Sequence, residues 1–130
     1  MITGLTVAAV SVTAQAVAPT VAIEQTYLKA APGRRAALIR FIEQNWFVMD
    51  EEAVRQGLFT SYAVYEGGGT DWDVMVTVGY PDARGYDAPG TAAAFEAIRA
   101  RHRTVLVDGR GLRDLGTIVG SRRLRLGAHR

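Results

Sequence analysis

A handful of side chains carry most of the chemistry this sequence offers. His102 falls in the apolar stripe of a helical segment, where an imidazole that changes charge near neutrality can serve as acid, base or ligand. A packing histidine with its hydrogen bonds satisfied produces the same pattern. Glu24 and Asp73 lie on strand-like stretches read as neighbours with both carboxylates on one sheet face. Buried there, a carboxylate is pushed toward neutrality and can exchange protons; an interfacial ion pair with Arg122 or Arg123 of a second copy is the competing account. Tyr27, Trp46, Tyr62, Tyr65 and Trp72 can wall a cavity for a flat, hydrophobic ligand, although aromatics at helical and strand spacing also build cores. Asp50 and Asn45, on the first helical segment, are lesser candidates, because solvated helix residues look alike in sequence.

Other chemistries are excluded by what is missing. The 130 residues contain no cysteine, which removes thiolate catalysis and Cys-ligated metal, and no zinc-protease, nucleophile-elbow or phosphate-loop motif occurs. No metal site is expected. The formal charge is only +2, but nine of the fourteen arginines lie from Arg99 onward. Without interleaved aromatics this tail lacks a base-stacking platform and reads as solvated helix and edge strand rather than a nucleic-acid surface. Residues 1–18 are apolar and small. They end in Ala14-Gln15-Ala16 and Ala16-Val17-Ala18, which suit signal cleavage, yet no basic residue precedes the run, so a truncated signal and an N-terminal arm both stand. The first alternative puts the protein outside the cytoplasm and the second inside. The run is too short and too rich in Thr, Ser and Ala to span a membrane.

The elements that must position these groups follow from periodicity. Val21 to Lys29 alternates as a strand. Pro32-Gly33 turns the chain into a helix from Arg34 to Gln56, with Leu38, Phe41, Ile42, Asn45, Met49 and Ala53 on its packed side, a break expected near Asp50, and Gly57 at its end. Leu58 to Glu66 and Trp72 to Tyr80 form a hairpin across Gly67 to Thr70. In the second of these strands, Trp72, Val74, Val76, Val78 and Tyr80 fall on one face, and Asp73, Met75, Thr77 and Gly79 on the other. A loop from Pro81 to Gly90 leads to a helix from Thr91, as N-cap, to Val107, with Phe95, Ile98, His102, Val105 and Leu106 on its apolar side. Leu112 to Leu115 adds a short turn, and Thr117 to Leu126 is a final strand, followed by a tail at 127–130.

One domain over residues 20–126 results, with the order strand, helix, strand, strand, helix, strand. Right-handed crossovers give a ferredoxin-like α+β sandwich, antiparallel sheet order 4-1-3-2, with both helices on one face. The other face, taken to hold Ala22, Leu28, Val64 and Met75, is too apolar for water, and a second copy packed sheet on sheet would cover it.

This order, the Pro-Gly turn, the aromatic-rich first helix and the run Ala94-Phe95-Glu96-Ala97 toward His102 resemble the dimeric α+β barrel superfamily, which includes antibiotic-biosynthesis-type monooxygenases, haem-degrading oxygenases, polyketide-cyclase-like proteins and the NIPSNAP and EthD groups. The resemblance implies a homodimer with a pocket between helices and sheet. It also implies a hydrophobic or aromatic small molecule as ligand, handled by cofactor-independent oxygenation or cyclase-like chemistry. In haem-degrading relatives a second-helix histidine is the axial ligand, a role that would fall to His102; no other cofactor is implied. The alternative class is a non-catalytic binding or assembly module whose pocket is filled by its own side chains.

Overall fold

A computed structural model describes residues 18–130 and, before them, Gly4 alone; the alternatives for the apolar leader lie outside the described residues. Four strands, β1 (Ala22–Ala30), β2 (Ser61–Glu66), β3 (Val74–Tyr80) and β4 (Gly116–Arg125), form one antiparallel sheet in the order β2-β3-β1-β4. This is the expected 4-1-3-2 order read from the opposite edge. The helices α1 (Arg35–Phe41), α2 (Phe47–Arg55) and α3 (Thr91–Arg101), with the short α4 (Leu112–Leu115), cover one face.

Local chemistry sets the element ends. Gly33, with φ of 72°, closes the turn after β1, and Gly57, at 76°, ends α2 while the Leu58 N–H bonds the Ala53 carbonyl at 2.9 Å. Gly116 is needed for closeness rather than dihedral freedom: a Cβ there would stand 2.9 Å from the Lys29 carbonyl oxygen.

Register divides the residues between faces. Ala22 pairs with Tyr80, Glu24 with Val78, Thr26 with Val76 and Leu28 with Val74. All of these point toward the helices, where Ala22, Leu28, Val74, Val76 and Tyr80 are buried. The expected composition of the reverse face is therefore corrected. Ala22, Leu28 and Val64 belong to the helix side, and of the four residues assigned to the open face only Met75 alternates onto it. Trp72 also changes sides. It precedes β3 rather than continuing its apolar face, and packs on Tyr27 with ring centroids 5.1 Å apart.

Three further expectations fail for identifiable reasons. The first helix does not break at Asp50. Its ladder is dislocated earlier, by a π-helical turn over Ile42–Trp46 in which the Phe47 N–H reaches back to the Ile42 carbonyl. The last long helix ends at Arg101 rather than Val107, His102 being extended, and it starts after Gly90 at φ of 82° without a side-chain cap from Thr91. A single side chain accounts for the early end. Asn45, buried in the π turn, donates from Nδ2 to the carbonyls of Phe41 (2.9 Å) and Val105 (2.8 Å), while its Oδ1 accepts from the Val105 N–H (2.7 Å) and meets His102 Nε2 (2.9 Å). These bonds hold 102–105 extended along the helix, and Val105 and Leu106 are left 45% and 56% exposed. The strand expected from Leu58 likewise begins only at Ser61, because Phe59 turns inward to the core.

The core is in two parts. Leu28, Leu38, Ile42, Val74, Val76, Val107 and Leu115 form one cluster, and Ala22, Ala53, Phe59, Tyr80, Phe95 and Ile98 the other. Replacing Asn45 by Ala strands buried backbone groups of Phe41 and Val105, and is expected to cost about 2 to 4 kcal/mol in urea unfolding. Hydrogen exchange at the Val105 amide should accelerate in this variant, and unchanged protection there would show that the amide clamp does not hold the segment.

Candidate functional site

Between the two core clusters the sheet and helices do not meet. On β1 the helix-facing rungs at this level are Glu24 and Thr26, polar residues within an otherwise apolar phase, and the helices stand away from them. A half-open cavity of about 620 Å³ results. Its floor is Glu24, Thr26, Val76, Val78 and Tyr80; its walls are Phe41, Trp46, Met49 and Asp50 from the first helical rod and Phe95, Arg99 and His102 from α3 and its end, with Phe59 and Tyr86 at one side. A volume of this order accommodates a fused-ring molecule.

The groups singled out in the sequence separate on this geometry. His102, Glu24 and Trp46 line the cavity together. Asp73, Tyr27, Tyr62, Tyr65 and Trp72 do not. Asp73 caps the end of β1, its Oδ1 accepting the Ala30 N–H at 2.8 Å and its Oδ2 standing 3.9 Å from Arg35. Its own N–H bonds Leu28 O, which places it about 16 Å along the ladder from Glu24 and ends the expected carboxylate pair. Tyr27 and Trp72 stack on the helix-free face beneath the Arg122 guanidinium, 5.7 Å from the Tyr27 ring. Tyr65, also on that face by register, is 54% exposed. Tyr62 stacks on Phe47 and donates its hydroxyl to Glu51, which raises its pKa.

Inside the cavity the polar groups differ in how far they are satisfied. The Tyr80 hydroxyl donates to Glu24 Oε2 at 3.2 Å, and burial first, then the neighbouring carboxylate, pushes the phenol above its ordinary range. Because Asn45 donates to two carbonyls through Nδ2, its Oδ1 must face His102, so the histidine Nε2 carries a proton and donates. That nitrogen has no lone pair to offer an iron, and the residues present do not fit a haem ligated through it. Asp50 is the exception to satisfaction. The residue is only 5% exposed, no described residue hydrogen-bonds its carboxyl, and burial raises its pKa to about 7.

Asp50 is legible in the sequence only as a minor candidate, since Asp50-Glu51-Glu52 reads as the solvated first turn of a helix. The π turn adds a residue to the rod and rotates the residues beyond it by about 100°, bringing Asp50 onto the packed side. Phe59, Tyr80 and Phe95 belong to the core and are also cavity wall. Among the described residues no cluster of three or more His, Asp or Glu is gathered as for a metal ion, and no helix is long and apolar enough to cross a membrane. Compared with protein-family models, curated proteins and solved structures, the chain has no significant match.

The raised Asp50 pKa makes a signed prediction. In the unfolded chain the carboxyl ionises near its ordinary value of 3.8, in the folded chain near 7, so stability from this group is full below the lower value and is lost as pH rises to the upper one. Asp50→Asn should match the parent protein in urea unfolding at pH 4 and exceed it at pH 8 by up to about 4 kcal/mol. Parallel stability profiles for the two proteins would mean that Asp50 ionises without penalty.

Proposed function

We propose that the protein binds a hydrophobic, ring-bearing small molecule in the cavity between sheet and helices, and that Asp50 exchanges a proton with it. The observation that carries this reading is a nearly buried carboxyl, without a partner among the described residues, facing a space wide enough for a ring system. Groups of this kind are costly to keep and are concentrated where proton transfer or ligand binding needs them. Phe59, Phe95 and Trp46 supply flat apolar contact, Tyr80 and Glu24 a second polar point, and His102, held by Asn45, a fixed donor. Proton removal from a bound ring is the first step that cofactor-independent oxygenation and cyclase-like condensation share, and either is compatible with a base titrating near neutrality. A module that fills its own pocket is the weaker reading, because the side chains leave this volume open.

The sheet order and one-sided helices are also compatible with the dimeric α+β barrel superfamily, and we extend the proposal to a homodimer. By register, Ile23, Tyr27, Met75 and Tyr65 share the helix-free face, and a second copy packed there would shield them along with the stacked Trp72.

Two measurements test this. Titration calorimetry with 1-naphthylmethanol should give saturable binding to the parent protein, and Thr26→Trp, which fills the cavity from its floor, should weaken it by about tenfold or more. Absence of binding, or equal binding to the filled variant, removes the cavity as the site. Light scattering should return twice the 14.1 kDa chain mass, falling to one chain mass in Met75→Arg; a parent protein already at one chain mass removes the dimer and leaves the cavity reading standing.

A further inference from the structure

The charges around the cavity are unequally satisfied, and the inequality bears on what the ligand carries. The cation on the wall, Arg99, is committed twice: Nη1 donates to Glu96 at 3.1 Å, and its guanidinium lies 5.4 Å from the centre of the Phe95 ring. Arg123, which reaches toward Glu24 from β4, spends its Nη2 on Asp87 at 2.8 Å. His102 gives its Nε2 proton to Asn45. On the acidic side, among the described residues Glu24 receives only the Tyr80 hydroxyl at 3.2 Å, and no described residue donates to Asp50. The described groups that share its cavity or its field are Tyr80 on β3 and, beyond it, Glu24 on β1, Tyr62 with its Glu51 on β2 and α2, and His102 at the end of α3. None of these is an arginine or a lysine. The surrounding surface is aromatic, and ring faces attract positive charge.

We infer that the natural ligand carries a basic nitrogen, and that this nitrogen seats as an ammonium against Asp50 with the ring body among Trp46, Phe59 and Phe95. A carboxylate, sulfate or phosphate group at this point would meet two carboxyls, and the described cations nearby, Arg99 and Arg123, are each already paired with another carboxylate. A neutral hydroxyl would leave the Asp50 charge uncompensated on ionisation. The proton balance is simple. The amine arrives from water as its ammonium, Asp50 gives its carboxyl proton to the buffer, and the bound state is an ammonium–carboxylate pair with one proton released. A pair formed in this sheltered cavity would be worth more than a solvated one because water competes less for either charge.

This inference rests on the ligand-binding part of the reading above and gives Asp50 the part of counter-ion rather than of proton acceptor, and the test separates the two. The probes are 1-naphthylmethylamine, 1-naphthylmethanol and 1-naphthoic acid, titrated into the full chain by calorimetry in two buffers of different ionisation enthalpy. The amine should bind about tenfold or more tighter than the alcohol, and the acid weakest. With a carboxyl that titrates near pH 7, amine binding should release close to one proton at pH 6 and about a tenth of one at pH 8. Asp50→Asn should bind the amine no better than the alcohol and without proton release. Equal affinities for amine and alcohol, tightest binding of the acid, or amine binding without proton release at pH 6 each overturn the inference while leaving the cavity reading in place. If none of the three probes binds, the cavity reading falls and this inference with it.

Discussion

Asn45 is the point at which the helical layer is tied to the far side of the molecule. Its amide spends both ends on backbone or ring groups of other turns, from a buried position on the packed side of the rod within the π turn. A regular α-helix would satisfy the Phe41 carbonyl by itself and leave no reason to bury an amide. Once the ladder is dislocated, the buried side chain becomes the partner that the displaced backbone needs. The segment after α3 is then drawn out of helix and along the rod, and His102 is presented with one nitrogen fixed. The cavity owes its upper wall to this arrangement.

The lower wall has a different origin. A sheet whose helix-facing side was apolar throughout would bring the helices down along its whole length and leave one continuous core. Here the central strand β1 carries Glu24 and Thr26 at its middle rungs, opposite Val78 and Val76, with buried Ala22 and Leu28 on either side. Packing is efficient where both layers are apolar, so the core condenses into two clusters at the ends of β1 and stays apart between them. The space is thus a consequence of two polar side chains on one strand, and the same two side chains become its floor.

These causes explain what was readable from the residues and what was not. Strand order, the one-sided helical layer and the Pro-Gly and Gly57 turns follow from period and turn chemistry, which are local. Glu24 and Thr26 interrupt the apolar phase of β1 with polar side chains, a feature visible in the residues themselves, and these two rungs are the cavity floor. Face assignment failed because both phases of β1 contain apolar residues: Ile23 and Tyr27 compete with Ala22 and Leu28, and only the pairing with β3 decides between them. Asp73 and Glu24 looked like a pair because alternation gives a face but not a register, and their register separates them by most of the strand. The extent of α3 was misjudged because Val105 and Leu106 keep helical spacing, while the bonds that unwind them come from Asn45, sixty residues away in sequence. Asp50 was hidden by the same π turn, which moves the phase of everything after Trp46 and cannot be read from hydrophobic spacing alone.

A fold that keeps Asp50 unpaired above neutrality accepts a stability loss that a single Asn would remove. Small domains have only about 5 to 15 kcal/mol to lose, so a penalty of a few kcal/mol is a large share of the total. Among the described residues no ion pair compensates it, although Arg99 and Arg123 stand near the same cavity and are bound to other carboxylates instead. Their commitments keep positive charge off the carboxyl. The physical effect is that any ligand supplying the missing positive charge recovers part of that penalty on binding, so ligand affinity and fold stability are linked through one carboxyl. In the proposed complex the cost borne by the empty protein would be returned on binding, as linkage requires of a group that pairs only with the ligand.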